Sequence, residues 1–375
     1  MDVTLGGRET STAQIAKALA RRGHEVTVLC QAGTFSAQGV EVRALGRRGM
    51  FRVTRLKNFI ADVQAEVADR KYDVVHAMLP VPGADVYQPR GGTVPARRAA
   101  TARRQPWLGA TLAALAEALS PRRKLTAALE RAVMDDADTL CLAVSYMVSQ
   151  EIEQYYGRTH RVRVIYNAVD APDPAGPQRE RWRSLRRGEL EVDDDTVVFL
   201  TVAVNFELKG VAEAIAAFAG WRHGGEGLPD ARLVVVGRDM PERYEQLAGM
   251  RSVGMEVVFK PPTRDIFQWY SAADACVLLS WYDPCSRVVL EATRWGVPSI
   301  TTVHNGAAEV VSGAGGIIVG SPRDARAIAA AMTELADRDR RRAREDACRQ
   351  VADRLGMDRH VDELLEAYAD IIRRR

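Results

Sequence analysis

The sequence predicts an α/β fold with two doubly wound parallel sheets, one in each half of the chain. Strand-like apolar runs alternate with helix-like stretches in two series, a pattern that lays crossover helices on both faces of a parallel sheet. A Pro- and Arg-rich segment from about Ala171 to Glu191 separates the two series and reads as a connection. With 375 residues there is enough chain for two domains with full cores.

The first series opens with a helical stretch from Thr10 to Arg22, stopped by Gly23-His24. The strand Val26–Cys30 follows, and a second strand is expected over Tyr72–Met78. A helix through Glu130–Asp138 leads into the strand-like Thr139–Ser145, a helix over Met147–Tyr156 and the strand-like Val162–Asp170. The second series comprises Val197–Val204, a helix from Lys209, Arg232–Gly237, Met255–Lys260, a helix at Asp265–Asp274, Ala275–Ser280 and Pro298–Thr302. A terminal helix over Val361–Arg375 carries Leu364, Leu365, Tyr368, Ile371 and Ile372. The start is unusual. Met1 to Leu5 alone precede the first helix, and Asp2 and Thr4 suit a buried central strand poorly. Either the first strand has been lost through truncation, or these few residues suffice as a stub.

Composition narrows the function classes. Lys+Arg 52 against Asp+Glu 49 gives a formal charge of +3, too small to imply nucleic acid as a partner. The five cysteines are scattered, form no C-x-x-C pair, and predict a reduced, cytoplasmic protein without a disulfide framework. The six histidines are isolated and form no H-x-x-x-H pair, so no bound metal is expected. Asp193-Asp194-Asp195 reads as a solvated turn before a strand. No apolar run approaches the ~20 residues of a membrane span, and no secretory leader is visible.

The densest chemical signal runs from Asp283 to Thr302. Asp283 lies in the loop after the apolar run Ala275–Leu279, and Glu291 falls about two turns into the following helix, which ends at Gly296-Val297-Pro298. In open α/β sheets ligands bind at the carboxyl ends of the strands, where helix N-termini direct N–H groups at anions. A loop carboxylate there suits sugar hydroxyls, and one further along the helix suits ribose hydroxyls. The intervening amides of Cys285, Ser286 and Arg287 face a diphosphate in this reading. The outline is a nucleotide-sugar site. An ordinary loop aspartate and a surface helix glutamate would show the same spacing.

This segment resembles the retaining glycosyltransferases of family 4, which have the GT-B fold: two Rossmann-like domains facing across a cleft. Those enzymes carry two glutamates at this spacing, and here the first is Asp283. The resemblance implies an acceptor domain over residues 1–175, with helix 358–375 packed back on it, and a nucleotide-sugar domain over 192–357. It implies transfer of a hexose from a nucleotide diphosphate sugar, UDP-sugar favoured, with no cofactor and no metal. Because no residue makes a convincing nucleophile, front-face displacement is expected, with the leaving phosphate helping to deprotonate the acceptor. Lys209, at the start of a helix, matches the family lysine that stabilises the departing diphosphate. Many members carry an arginine just before it. Here Val204–Leu208 stands in that place, and Arg238 or Arg287 is the substitute. Asp283 would orient the donor sugar and Glu291 would hold the ribose. Gly6 and Gly7 match glycines near the donor phosphate, with Thr10 or Ser11 capping the helix. Gly237 ends a strand, Arg238 or Asp239 after it would approach the base, and Glu309 matches an acidic position in the loop after Pro298–Thr302. His76 is either an acceptor-side residue or a strand-end histidine satisfied by backbone.

Met78–Gln88, the opening Gly6–Thr10 and a long basic excursion are similar to the lipopolysaccharide-core heptose glucosyltransferases of the family. In that excursion Arg90, Arg97, Arg98, Arg103, Arg104, Arg122, Arg123 and Lys124 are opposed by Glu117 alone. Trp107, Leu108, Leu112, Leu115 and Leu119 give an apolar stripe between the basic clusters. Residues 90–124 are therefore expected to touch an anionic membrane on its cytoplasmic side, unless the stripe packs on the first domain. The acceptor implied is a glycan or glycolipid of the cell envelope. A nucleotide-sugar 2-epimerase and a non-catalytic, membrane-associated binding protein are the other functions that suit this fold.

Overall fold

The computed structural model describes residues 7–33, 35–69, 72–104, 120–225 and 227–375. Gly6, the Met1–Leu5 stub and the Trp107–Leu119 stripe lie outside the described residues. The chain folds as two compact units, Met1–Tyr166 with Met357–Arg375, and Asn167–Gly356. The first division falls earlier than residue 175, because Asn167 Nδ2 donates to Cys285 O at 2.7 Å and Val169 N–H donates to Leu355 O at 2.9 Å.

The first unit runs α1 (Gly7–Arg21), β1 (Val26–Cys30), β2 (Val40–Ala44), α2 (Arg52–Asp69), β3 (His76–Ala77), β4 (Val86–Tyr87), α3 (Val94–Arg104), α4 (Pro121–Asp135), β5 (Leu140–Ala143), α5 (Tyr146–Tyr156) and β6 (Val162–Val164). β1 pairs with β2, and β3-β4-β5-β6 form a second sheet, every pair parallel. Among the described residues no strand joins the two sheets. The strand expected over Tyr72–Met78 shrinks to His76–Ala77, since Val75 N–H donates to the Asp85 carboxylate at 2.7 Å instead of to a strand carbonyl. α1 begins at Gly7, so Thr10 and Ser11 lie inside its first turns rather than at a cap. α5 has the expected punctuation: Ser145 accepts from Val148 N–H, and Gly157 closes it in the left-handed region at φ 67°.

The second unit continues with α6 (Gln178–Glu189), β7 (Val197–Val204), α7 (Val211–Gly224), β8 (Ala231–Arg238), α8 (Pro241–Met250), β9 (Val257–Lys260), α9 (Ile266–Ala272), β10 (Ala275–Leu278), α10 (Arg287–Arg294), β11 (Ser299–Thr302), α11 (Ala308–Val311), β12 (Ile317–Val319), α12 (Ala325–Ala336) and α13 (Arg338–Val351). α6 lies within the segment expected to be a plain connection. Its arginines explain its order: Arg187 and Arg183 reach buried Asp274, and Arg186 bonds Gln268. The six strands form one parallel sheet in the order β12-β11-β10-β7-β8-β9. Consecutive residues alternate between two cores. Phe199, Leu233, Val235 and Val277 join one, while Val198, Leu200, Val234 and Cys276 join the other. Burial on both faces is why these strands read as unbroken apolar runs. The winding starts at β7, goes out to β8 and β9, then returns to β10 on the other side of β7. That reversal creates a topological switch point between β7 and β10.

The last helix, α14 (Met357–Ile372), belongs to the first unit. Its buried Met357, His360, Val361, Leu364, Ala367 and Ile371 recur at three- and four-residue intervals and form one face. Among the described residues no helix is long and apolar enough to cross a membrane.

Candidate active site at the switch point

Lys209 leaves β7 and Asp283 leaves β10, so the two loops emerge from neighbouring strands on either side of the switch point. They are tied together. Trp281 N–H donates to Leu208 O at 3.0 Å, and the Trp281 indole donates to Glu213 at 3.2 Å. Gly210 closes the first loop at φ 70°, where a Cβ would stand 2.1 Å from Leu279 O. Glycine is therefore required for the close approach that sets Lys209 beside the exit of β10. The result is an ion pair between Lys209 Nζ and Asp283 Oδ2, both side chains largely buried. α7 starts at Val211, so Lys209 sits in the turn ahead of the helix rather than in it.

Asp283 is fixed by its backbone as well. Its N–H donates to His304 O at 2.9 Å, and its carbonyl accepts from Gly306 N–H at 2.8 Å. Asn305, 1% exposed, accepts from the Ser286 and Ala307 amides at 3.1 Å each and donates to Thr301 Oγ1. Asn167 holds the Cys285 carbonyl from the other side. The loop Asp283–Ser286 is thus buried and fully bracketed before α10 begins. Neither the Ser286 side chain nor any side chain of Gly210 caps the helix that follows it. Two helix N-termini without side-chain caps accordingly stand at the same sheet edge as the Lys209 ammonium, a setting suited to an anion.

Glu291 is the fifth residue of α10, a little over one turn in rather than two, because the helix starts at Arg287. Its carboxylate accepts from Tyr270 OH at 3.2 Å and from Arg287 at 3.0 Å. Burial pushes the Tyr270 hydroxyl well above its ordinary pKa, with the Glu291 charge adding to the effect, so it stays a donor. Arg287 is therefore engaged with Glu291. Arg238 lies exposed at the end of β8. Gly237 has a packing cause of its own: a Cβ there would meet Ala203 O on β7 at 1.8 Å. Glu309 is exposed in the short α11.

The first-unit candidates are placed separately. Gly7 is the first residue of α1. His76 meets a side chain rather than backbone, with Nδ1 2.6 Å from Tyr368 OH on α14. Burial, reinforced by the Arg90 charge, lowers its pKa to about 3, so the ring is neutral. Sequence reasoning missed Asn305, Asn167 and Tyr270, which position the site without being charged. Asn305 had one legible signal, an Asn-Gly pair directly after a strand end. Among the described residues no cluster of three His, Cys, Asp or Glu side chains is placed to hold a metal.

Comparison with known proteins agrees with this architecture. Residues 5–172 match the family model described as Glycosyltransferase Family 4, and residues 194–338 match that of Glycosyl transferases group 1. The lipopolysaccharide glucosyltransferase WaaG of Escherichia coli is 24% identical over 331 residues, covering 84% of this chain and 82% of WaaG. The D-inositol 3-phosphate glycosyltransferase of Thermomonospora curvata is 29% identical over 269 residues, or 68% of this chain and 62% of that protein. Among solved structures, WaaG superposes with a TM-score of 0.80 at 22% identity, covering 97% of this chain and 96% of that one. Anabaena Alr3699/HepE in complex with UDP-glucose gives 0.71 at 19% identity, covering 97% and 96%. The chain belongs to the family 4/group 1 glycosyltransferases and has their GT-B fold of two Rossmann-like domains.

Proposed function

We propose that this glycosyltransferase moves a hexose from a nucleoside diphosphate sugar, with UDP-sugar favoured, to a glycan or lipid-linked saccharide of the cell envelope, retaining anomeric configuration. The observation that carries the reading is the Lys209–Asp283 pair at the switch point of the second unit, beside two helix starts without side-chain caps. A diphosphate entering there would meet the Lys209 ammonium and the Cys285–Ser286–Arg287 turn that opens α10, in which the Ser286 amide is already held by Asn305. Charge developing on the leaving phosphate is what such groups stabilise. Asp283 would turn from Lys209 to the sugar hydroxyls, and Glu291, already oriented by Tyr270 and Arg287, would take the ribose. Gly237, Arg238 and Glu309 would line the donor's outer edge, Gly6 and Gly7 would serve the donor phosphate, and His76 would be on the acceptor side. The UDP-glucose complex of the Anabaena neighbour supports the uridine donor, and the lipopolysaccharide glucosyltransferase of Escherichia coli, as a relative, supports an envelope acceptor. Basic residues of α3 and α4, with Arg122, Arg123 and Lys124 exposed, support contact between residues 90–124 and an anionic inner membrane surface.

Calorimetric titration of UDP-glucose into Glu291→Ala tests the assignment. Loss of a hydrogen-bonded carboxylate should weaken binding by about 1–3 kcal/mol, and unchanged affinity would remove Glu291 from the site. Incubating the sugar nucleotide without acceptor separates the alternatives: an epimerised product would mark an epimerase. Binding without turnover on any envelope saccharide would mark a non-catalytic binding protein.

A further inference from the structure

Among the described residues the Asp283 carboxylate has one partner, and that partner is Lys209. The Asp283 side chain is 10% exposed and that of Lys209 20%, so each charge depends largely on the other. The backbone leaves Asp283 little freedom to seek a different partner. Its N–H is bonded to His304 O and its carbonyl to Gly306 N–H, and an isolated parallel bridge joins it to Asn305. Pro284 fixes φ of the next residue. Side-chain rotation is what remains, and it brings the carboxylate only to a group that enters beside Lys209.

A nucleoside diphosphate and a nucleoside diphosphate sugar meet this pair differently. Phosphate oxygens accept hydrogen bonds, and so does an ionised carboxylate. A bare diphosphate therefore brings Asp283 no donor, only further negative charge. It must share a single ammonium with Asp283 or leave that buried carboxylate unpaired, and an unpaired buried charge is strongly destabilising. The ribose hydroxyls are no remedy, because in the proposed donor pose they go to Glu291, which Tyr270 and Arg287 already orient. The sugar of an intact donor has hydroxyls that donate. They replace Lys209 as the partner of Asp283 and release the whole ammonium to the diphosphate. We infer that the Lys209–Asp283 pair makes the site select the intact sugar nucleotide over the sugar-free nucleoside diphosphate, and so favours release of the latter after transfer. The inference rests on the donor-site reading and adds to it a specificity-determining role for Asp283.

The test is calorimetric titration of UDP and of UDP-glucose into the full-length wild type, Asp283→Asn, Asp283→Glu and Lys209→Ala. The wild type should bind UDP-glucose more tightly than UDP. Asparagine keeps the shape and still bonds sugar hydroxyls, but it cannot pair with the ammonium. Asp283→Asn should therefore bind UDP roughly tenfold more tightly than the wild type, with UDP-glucose affinity changed by less than about threefold. Asp283→Glu retains the charge and the pairing, so the preference for UDP-glucose should persist. An equal rise for both ligands in Asp283→Asn would reduce the effect to general charge repulsion and overturn the inference. Unchanged or weaker UDP binding in that variant would also overturn it, as would loss of the preference in Asp283→Glu. Lys209→Ala checks the underlying reading separately. If it binds UDP as tightly as the wild type, or if the wild type binds neither ligand, the donor site itself is misplaced and the inference falls with it.

Discussion

Gly210→Ala is the substitution most tightly constrained by the geometry. The residue sits at φ 70°, and a Cβ would fall 2.1 Å from Leu279 O and 2.9 Å from Leu279 Cβ. Left-handed backbone costs an alanine about 1–2 kcal/mol. Forcing a methyl group against packed backbone adds about 1–3 kcal/mol. A total loss of roughly 2–5 kcal/mol is expected. The strain has a direction, because relieving it moves the Lys209 turn away from the exit of β10 and loosens the Lys209–Asp283 pair. Gly220 provides the internal control. It lies exposed in the same helix with nothing within 4 Å of its ideal Cβ, so Gly220→Ala should stabilise by about 1 kcal/mol. Urea unfolding of both variants and the wild type gives the two shifts, and UDP titration of each reports the site. Opposite signs, with nucleotide affinity lost in Gly210→Ala alone, fit the reasoning. A Gly210→Ala protein as stable as the wild type would refute the close approach and the positioning of Lys209 built on it.

Asn305→Ala should destabilise by about 2–4 kcal/mol, since the Ser286 and Ala307 amides lose their buried acceptor. A shift below about 0.5 kcal/mol in the urea midpoint analysis would show that those amides have other partners. Stability should also depend on pH through His76 and His360, each held neutral by burial at a pKa of about 3. The folded pKa lies below the unfolded one, so the contribution is fully present above about pH 6.5 and is lost as pH falls towards 3. The slope approaches about 1.4 kcal/mol per pH unit for each imidazole in that window. His360→Asn, which keeps a donor for Tyr166 O, should flatten the slope. An unchanged slope in urea titrations at pH 7, 6 and 5 would show that His360 is not the titrating group.

The second unit was the more legible half because its sheet is buried on both faces. Val197–Val204 reads as a continuous apolar run and is a strand over those very residues. β3 and β4 have two residues each, and so short a strand leaves almost no period to read. α6 was hidden because its order comes from arginines reaching Asp274 and Gln268 rather than from an apolar stripe. Asp283, Glu291 and Lys209 stood out because charge at a strand exit or helix start has no packing explanation. Tyr270 did not, since a buried Tyr in a largely apolar helix looks like core until its hydrogen bonds are seen. Gly237 shows the opposite case, since the close approach of Ala203 O requires a glycine there whether or not a ligand is bound.

The central claim is that Lys209, beside Asp283 at the switch point, receives a nucleoside diphosphate. Calorimetric titration of UDP, GDP and ADP without added metal, on the wild type and Lys209→Ala, tests it directly. The account expects saturable UDP binding by the wild type, and a fall of about tenfold or more in Lys209→Ala as a charge-assisted contact worth roughly 1.5–3 kcal/mol is removed. Equal UDP affinity in the two folded proteins, or none in the wild type, would contradict it.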